Sequence, residues 1–403
     1  MISDKKIIKW YPILIILMMS AGIVRNLQVG KLYEMYSYLV YFFLALMSLI
    51  YFFRHFKQIK RSYPWLTFAY NIIIVYVIIG FFYQFFIEPS PLYPWERFSI
   101  VCGCLFFGSI FIFMTEQVIV NVFHYYWRWL LLIFIGSFLT ASNELIQPMY
   151  FVIFGLCFHR FLPNNRKIAS YIILLFVLLF SMYQRIDFIV VLVPFVIVLL
   201  YNTIKILNLK RLKMVYCLLF LVPVFFFYLA YSGRFNVLDM ESYMGEIHDT
   251  KAGDMTVDTR TFLYTESAAS AIKNNYVLWG RTPYYGYDSD FVAYNSDGRQ
   301  VQRFSEVGIV NQFTMYGLIG VVMFLFFYFF EGQKGLNAKN AFIKCLAVWL
   351  CLFWVQSWIS NIYYFPNPYY AVMYMVVGLI NNRKLREMNE TEITNYMKRL
   401  MRA

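Results

Sequence analysis

The chain has 403 residues, of which 61% are apolar and only 14% are charged. An average soluble domain has roughly 45–50% apolar and 25% charged residues, so the composition excludes a soluble globular enzyme. A net charge of +13 would suit a nucleic-acid-binding protein, but the basic residues lie between long apolar runs, as in membrane proteins. We therefore expect a polytopic membrane protein that contacts membrane lipids and has no nucleic-acid partner.

Hydropathy predicts an all-α fold, a bundle of about 12 transmembrane helices that makes residues 1–403 a single integral membrane domain. A spanning helix needs ~20 apolar residues, and the fifth and the last of the predicted spans are short by this measure. The predicted spans are 7–24, 35–53, 63–87, 97–115, 129–142, 145–162, 168–184, 188–204, 214–231, 306–330, 340–360 and 369–381.

The distribution of Lys and Arg predicts the orientation of the bundle. Across the twelve spans, 24 basic residues fall on the side of the amino terminus and 11 on the other side. Basic residues accumulate in cytoplasmic loops, so both termini are predicted to be cytoplasmic. The first span is followed by Arg25 and not by the small-residue cleavage site of a signal peptide. We therefore interpret this span as a retained helix.

Metal and disulfide chemistry have little support in the sequence. All six cysteines fall within predicted spans, where they are interpreted as small buried hydrophobic residues, and the pair Cys102 and Cys104 lacks a nearby histidine cluster. Asp288 and Asp290 leave open a site for a divalent ion. We predict no metal site and no cofactor.

The carboxyl-terminal segment 383–403 is predicted to be a cytoplasmic basic amphipathic tail. Its apolar residues recur at helical spacing among six basic residues, which suits a helix on anionic lipid headgroups; a solvated tail is the alternative. These apolar residues are Leu385, Met388, Ile393, Met397 and Leu400.

One candidate functional residue is Arg185, in the short turn between the seventh and eighth predicted spans. The turn is so short that Arg185 must lie at the external membrane boundary. An arginine there, two residues before Asp187, can also be a snorkelling side chain or half of a local ion pair.

A second candidate region is the segment 232–305, a large external loop of 74 residues that we call the long loop. The sequence in the middle of this loop predicts a helix that is capped by Asp258 and runs to Lys273, with Arg260 in its first turn. Free backbone N–H groups and the helix dipole favour an anion at this position. We expect the helix to pack on the bundle through Phe262, Ala269 and Ile272.

The long loop continues into a turn rich in glycine and aromatic residues, which also contains Arg281. Sugars stack on aromatic rings and form hydrogen bonds with adjacent polar groups, so this turn predicts sugar binding. A turn that carries interfacial aromatic residues is the alternative interpretation. The candidate sugar-binding residues are Trp279, Tyr284, Tyr285 and Tyr287, with Asn311 from the next span.

Glu306 stands where the long loop returns to the membrane, and Gly317 and Gly320 follow within the tenth predicted span. Taken alone, Glu306 is a plausible charge at a helix amino terminus. Next to a lipid-phosphate site it becomes a candidate base, since partial desolvation raises a carboxyl pKa. The glycines would permit close helix contact.

Taken in order, these residues resemble the O-antigen polymerase and ligase superfamily. That superfamily has an arginine in a short external turn, a second arginine opening a helix in one large external loop, a glycine-containing turn, and a polar catalytic position before two glycines. In this chain the two arginine positions and the catalytic position of that pattern are occupied by Arg185, Arg260 and Glu306. Ligases carry His followed by Asn where this chain has Glu306 and Val307, which favours a Wzy-type polymerase.

The resemblance implies a glycosyltransferase of the bacterial cytoplasmic membrane that makes O-antigen lipopolysaccharide, capsule or exopolysaccharide. Its donor and acceptor would be undecaprenyl-diphosphate-linked oligosaccharides, and a chain-length regulator and a flippase would be partners. Arg185, Arg260 and Arg281 would bind the diphosphate, and Glu306 would accept the acceptor proton in an inverting transfer. The alternatives are ligase-type transfer of polymer to an acceptor and a flippase or other transporter.

Overall fold

The structure is a computed structural model of the chain. It describes residues 3–26, 31–86, 90, 92, 94–140, 151, 154–155, 157–181, 196, 201–231, 248–249, 253–254, 261–289, 302–305, 307–358 and 366–402. Most of these residues are helical, which agrees with the predicted all-α class.

The regular elements are long apolar helices, shorter helices that connect some of them, and four strands of two residues each. In chain order they are α1 (Asp4–Asn26), α2 (Lys31–Arg54), α3 (Phe56–Ser62), α4 (Pro64–Phe86), α5 (Pro94–Phe106), α6 (Ser109–Phe113), α7 (Glu116–Thr140), α8 (Asn164–Ser181), α9 (Tyr201–Ile206), α10 (Leu209–Tyr231), β1 (His248–Asp249), β2 (Gly253–Asp254), α11 (Thr261–Lys273), β3 (Tyr287–Asp288), β4 (Gln302–Arg303), α12 (Gly308–Leu336), α13 (Ala341–Ser357), α14 (Pro368–Asn381), α15 (Arg383–Glu387) and α16 (Glu390–Arg402).

Within the described residues, five helical segments are long and apolar enough to cross a membrane, as expected of a multi-pass membrane protein. They are Met35–Arg54, Pro64–Phe86, Pro94–Phe113, Leu209–Leu229 and Gly308–Leu336. This number does not reproduce the predicted twelve. Helices α13 and α14 are apolar but have only 17 and 14 residues. Half of the predicted span 145–162 and most of the predicted span 188–204 fall outside the described residues.

Aromatic side chains make up much of the contact between helices. The rings of Phe220 in α10 and Trp354 in α13 stack with centroids 5.0 Å apart, and the Trp354 indole N–H donates to the Phe220 carbonyl at 3.0 Å. Tyr216 in α10 donates to the Tyr328 carbonyl of α12 at 2.9 Å. Such pairs satisfy polar groups inside the bundle, which explains how the core tolerates so many Tyr and Trp residues.

The carboxyl-terminal helices pack on the bundle through their apolar side chains. Leu385 of α15 and Ile393, Met397 and Met401 of the strongly amphipathic α16 are all buried, so these side chains contact protein and not the lipid headgroups that the sequence predicted. Tyr396 donates to a Glu116 carboxylate oxygen of α7 at 2.5 Å. The tail therefore closes one end of the bundle.

The long loop contains the predicted helix as α11, which begins at Thr261; Asp258 lies outside the described residues. The predicted packing face was wrong for Ala269 and Ile272, which are exposed, and nothing is described of the Phe262 side chain. The buried face consists of Leu263, Ser267, Ser270 and Ala271. Serine hydroxyls can be buried here because each finds a hydrogen-bond partner, as shown below.

Two short antiparallel strand pairs complete the long loop. Strand β1 pairs with β2, and β3 pairs with β4 with Tyr287 opposite Arg303. The second pair brings the end of the turn rich in glycine and aromatic residues, 279–287, which we call the aromatic turn, beside the segment that leads back into α12.

Candidate functional site

Helix α12 is interrupted at Gly317. This residue has φ 65° and ψ −162°, a conformation outside the helical region that only glycine adopts easily. An interruption exposes backbone N–H and C=O groups, which must find other partners in a bundle that excludes water.

The aromatic turn of the long loop supplies those partners. The Leu318 and Ile319 amides of α12 donate to the carbonyls of Val277 and Leu278 at 2.9 and 3.3 Å. In the opposite direction, the Arg281 and Thr282 amides donate to the carbonyls of Thr314 and Met315 at 2.7 and 3.0 Å. We call residues 277–282 and 314–319 together the interlock.

Two glycines make the interlock sterically feasible. A Cβ on Gly317 would lie 2.3 Å from the carbonyl carbon and oxygen of Leu278. A Cβ on Gly280, which has φ 73°, would lie 2.4 Å from backbone atoms of Met315 and Tyr316. Gly317 was predicted to permit close contact with another helix; the close contact at this residue is instead with the backbone of the long loop.

The turn also packs against α4. A Cβ on Gly80 would lie 2.4 Å from the Tyr284 ring and 2.5 Å from the Thr282 hydroxyl, so the turn rests directly on this glycine. The Tyr284 carbonyl accepts from the Ser90 hydroxyl at 2.5 Å. Tyr83 and Tyr285 contact edge to face with ring centroids 5.5 Å apart.

Arg281, a predicted diphosphate ligand, forms an ion pair within the loop. Its guanidinium lies 2.7 Å from a carboxylate oxygen of Asp288, donates to the Gly286 carbonyl at 3.1 Å and lies 5.0 Å from the Tyr276 ring centroid. The two charged side chains are 16% and 10% exposed. A ligand of Arg281 would therefore compete with Asp288 for the guanidinium.

Asp288 is itself held by several donors. Asn274 donates to one carboxylate oxygen at 2.7 Å and Gln302 to the other at 3.1 Å, while its backbone amide donates to the Ser270 hydroxyl at 2.9 Å. These contacts bind α11, the aromatic turn and strand β4 into one unit. A carboxylate with this many donors is a rigid structural centre of the loop.

The predicted sugar-binding aromatic residues differ in their exposure to the surroundings of the protein. Trp279 is 65% exposed, whereas Tyr284, Tyr285 and Tyr287 are buried. Burial, with a smaller contribution from nearby Cys104, raises the pKa of Tyr284 to about 12, so its hydroxyl keeps its proton at neutral pH. Of these four residues only Trp279 presents its ring openly.

Asn311, the fifth predicted sugar ligand, is fully buried. Its amide accepts from the Ser305 backbone N–H at 2.5 Å and donates to the Ser305 carbonyl at 2.7 Å. The Ser305 hydroxyl accepts from the Val307 amide at 2.9 Å. These bonds fix both neighbours of Glu306 in the chain at the start of α12.

The three predicted catalytic residues, Arg185, Arg260 and Glu306, lie outside the described residues. Their assignment stays a prediction, as does the diphosphate role of Arg281. Among the residues that the structure does describe, no group of His, Cys, Asp or Glu side chains could hold a metal ion.

Sequence reasoning missed Thr282 and the serines of α11. Thr282 has φ 69°, a rare conformation for a β-branched residue, and backbone strain of this kind concentrates at functional sites. Ser267 lies 3.3 Å from the Thr314 hydroxyl, and Ser270 accepts from Tyr276 at 2.7 Å. The available signal was the spacing of the small residues Ser267, Ser270 and Ala271 on one helix face.

Comparison with known proteins gave no assignment: no family model, no curated protein and no solved structure matches this chain.

Proposed function

We propose that the protein is a polysaccharide polymerase that joins undecaprenyl-diphosphate-linked oligosaccharide repeat units at the external face of the cytoplasmic membrane. The observation that carries this proposal is the exposed Trp279 ring, next to Gly280 and Arg281 on a turn fastened into a broken membrane helix. A sugar chain stacked on the indole would have its polar groups beside a guanidinium, on a rigid support.

In the proposed reaction, an acceptor sugar hydroxyl attacks the anomeric carbon of the donor oligosaccharide. The new glycosidic bond forms as the bond between that carbon and the diphosphate oxygen breaks, with inversion. Glu306 takes the hydroxyl proton, and the departing diphosphate carries the electron pair. Arg185 and Arg260 bind the diphosphate, with Arg281 as a third candidate, so that positive charge faces the charge that develops.

The proposal retains the prediction that both termini lie in the cytoplasm. Contacts at one end of the bundle support it: Asp4 pairs with Arg54 at 2.9 Å, and Tyr63, which follows α3, donates to the Asn381 carbonyl near the carboxyl-terminal helices at 3.3 Å. The beginning and the end of the chain thus lie on the same side of the helices. A flippase that supplies lipid-linked units and a chain-length regulator would be partners.

The proposal is tested with purified protein in liposomes and a synthetic undecaprenyl-diphosphate oligosaccharide. We expect products whose lengths are multiples of the repeat unit, with one undecaprenyl diphosphate released per bond formed. Lengthening that requires a finished polymer and a different acceptor would indicate a ligase. Absence of both reactions would contradict the proposal.

A transporter of lipid-linked oligosaccharide is the second candidate, and the interruption of α12 at Gly317 favours it, because transporters often bind substrates at broken helices. In this chain the loop carbonyls of Val277 and Leu278 already occupy the first free N–H groups of the second half-helix. A transporter would move a fluorescent lipid-linked oligosaccharide between the leaflets of the same liposomes without lengthening it.

A further inference from the structure

The interlock lies deep along the helices that carry it. Trp65 is at the start of α4, shortly after the basic residues Lys60 and Arg61, and its ring lies 6.2 Å from that of Phe330 in α12. Tryptophan next to basic residues is typical of a membrane interface, so Trp65 and Phe330 mark one boundary of the hydrocarbon region.

Two helices give the same depth for the interlock. At 1.5 Å per residue, Gly80 lies about 22 Å along α4 from Trp65, and Gly317 lies about 20 Å along α12 from Phe330. The hydrocarbon core is ~30 Å thick, so both glycines fall inside it, closer to the opposite boundary. The segment of the long loop that contacts both of them therefore reaches the same depth.

The side chains of this segment suit that environment. Leu278 is 56% exposed. Leu278 is hydrogen-bonded to Ile319 of α12, where Leu318, Ile319 and Val322 form an exposed apolar face. Its side chain thus continues a surface that belongs to a membrane-spanning helix.

The interlock pairs backbone polar groups of the segment, as lipid requires. Irregular backbone at membrane depth occurs only where its N–H and C=O groups are satisfied, and the interlock bonds pair the carbonyls of Val277 and Leu278 and the amides of Arg281 and Thr282. Charged groups at that depth pair with one another, and Arg281 pairs with Asp288.

We propose that residues 277–282 form a re-entrant segment, which lies within the leaflet opposite Trp65 and whose Leu278 side chain contacts lipid chains. This inference rests on depth, exposure and hydrogen bonding and not on the proposed enzymatic function. Under the predicted topology the leaflet is the outer one. Because Trp279 and Arg281 belong to the same segment, the two proposals together require that the Trp279 ring face a substrate cavity within this leaflet.

A lipid-soluble diazirine probe tests the segment in the unsubstituted protein in liposomes. Trypsin cleaves after Lys273 and Arg281 and so releases the peptide 274–281, which contains Leu278. We expect this peptide to be labelled as strongly as the α12 peptide 304–334, which carries Val322. Labelling by a water-soluble diazirine instead would show that the segment faces water, and labelling by neither probe would show that protein covers it; each result would overturn the proposal.

Spin labels test the Leu278 side chain directly. Leu278→Cys is compared with Val322→Cys as the lipid reference and Lys273→Cys, outside the proposed segment, as the aqueous reference, after subtraction of the signal from the native cysteines. We expect oxygen to relax the label at position 278 as it does at position 322, and a water-soluble nickel chelate to relax it several-fold less than at position 273. Relaxation by nickel equal to that at position 273 would overturn the proposal.

Discussion

Gly317 is the residue at which α12 and the long loop depend on each other. Any side chain there meets the Leu278 carbonyl and must also adopt a positive φ. We expect Gly317→Ala to destabilise the protein by at least about 1–3 kcal/mol from backbone strain alone, before the steric overlap is added. Gly155→Ala is the matched control, because a Cβ there would meet its nearest neighbour, Phe123, at an ordinary 3.5 Å.

Thermal unfolding in detergent measures both glycine variants. The midpoint should fall for Gly317→Ala and stay near that of the unsubstituted protein for Gly155→Ala. Equal midpoints for the two variants would show that the backbones of the loop and the helix do not meet at Gly317.

The Arg281–Asp288 pair separates a structural role from diphosphate binding. Removing one member of a buried ion pair costs about 3–5 kcal/mol, whereas replacing both by apolar residues is often nearly neutral. We expect Arg281→Met and Asp288→Met to destabilise the protein individually, and the double variant to recover much of the stability. If Arg281 binds the diphosphate, the recovered double variant should still lack polymerase activity; normal activity would show that its role is structural.

Trp279 is the one predicted sugar-binding ring that is open to a ligand. Stacking of a sugar on an indole is lost when the ring is removed, so Trp279→Ala should raise the KM for the oligosaccharide and leave the unfolding midpoint unchanged. Trp95→Ala in α5 removes another exposed indole and serves as the control. Equal KM values for the two variants would contradict sugar binding at Trp279.

At the scale of elements, the docking of α16 depends on the charge of Glu116. Partial burial alone would raise the pKa of this carboxyl, but hydrogen bonds from Tyr396 and Asn382 and the charge of Lys384 bring it below its ordinary value. Because the folded pKa is the lower one, the carboxylate stabilises docking at pH above its unfolded pKa of ~4.3. That stabilisation is lost as the pH falls through the folded pKa.

Limited trypsin digestion measures how firmly α16 is docked. We expect Glu116→Gln to speed cleavage within 383–402 at neutral pH. Glu387→Gln is the control, since Glu387 pairs with Arg383 on the exposed surface, where an ion pair contributes little. Equal cleavage rates for the two variants would show that Glu116 does not hold the tail.

The elements also show how far the sequence predicts this fold. Runs of apolar residues located most of the described long helices, because a helix that meets lipid must be apolar over its whole length. The buried face of α11 was not predicted, since its serines become compatible with burial only through partners such as Thr314 and Tyr276. Hydropathy carries no information about such partners.

The interlock also could not be predicted from the sequence. Gly280 and Gly317 stand 37 positions apart, and nothing in their local sequences says that their backbones meet. The sequence did mark both as unusual positions, one in a turn and one within a span. Their mutual contact depends on how the loop folds back onto α12 and α4, which is set by packing of the whole bundle.

At the scale of the whole molecule, the proposed mechanism requires that distant parts of the chain act on one face of the membrane. The structure fastens the aromatic turn to α4 and α12 and connects it through β3 and β4 to the residues on either side of Glu306. Arg185 and Arg260 are the remaining parts of the proposed site. Two guanidiniums that share one diphosphate would contribute charge-assisted, bidentate contacts that a lysine cannot reproduce.

Replacement of the three proposed catalytic residues therefore tests the central claim most directly. In cells that lack the native gene, Arg185→Ala, Arg260→Ala and Glu306→Ala are each expressed, membrane insertion is verified, and the surface polysaccharide is resolved by length. We predict that every variant inserts normally and yields single repeat units without the long-chain ladder. Normal ladders from all three variants would contradict the account.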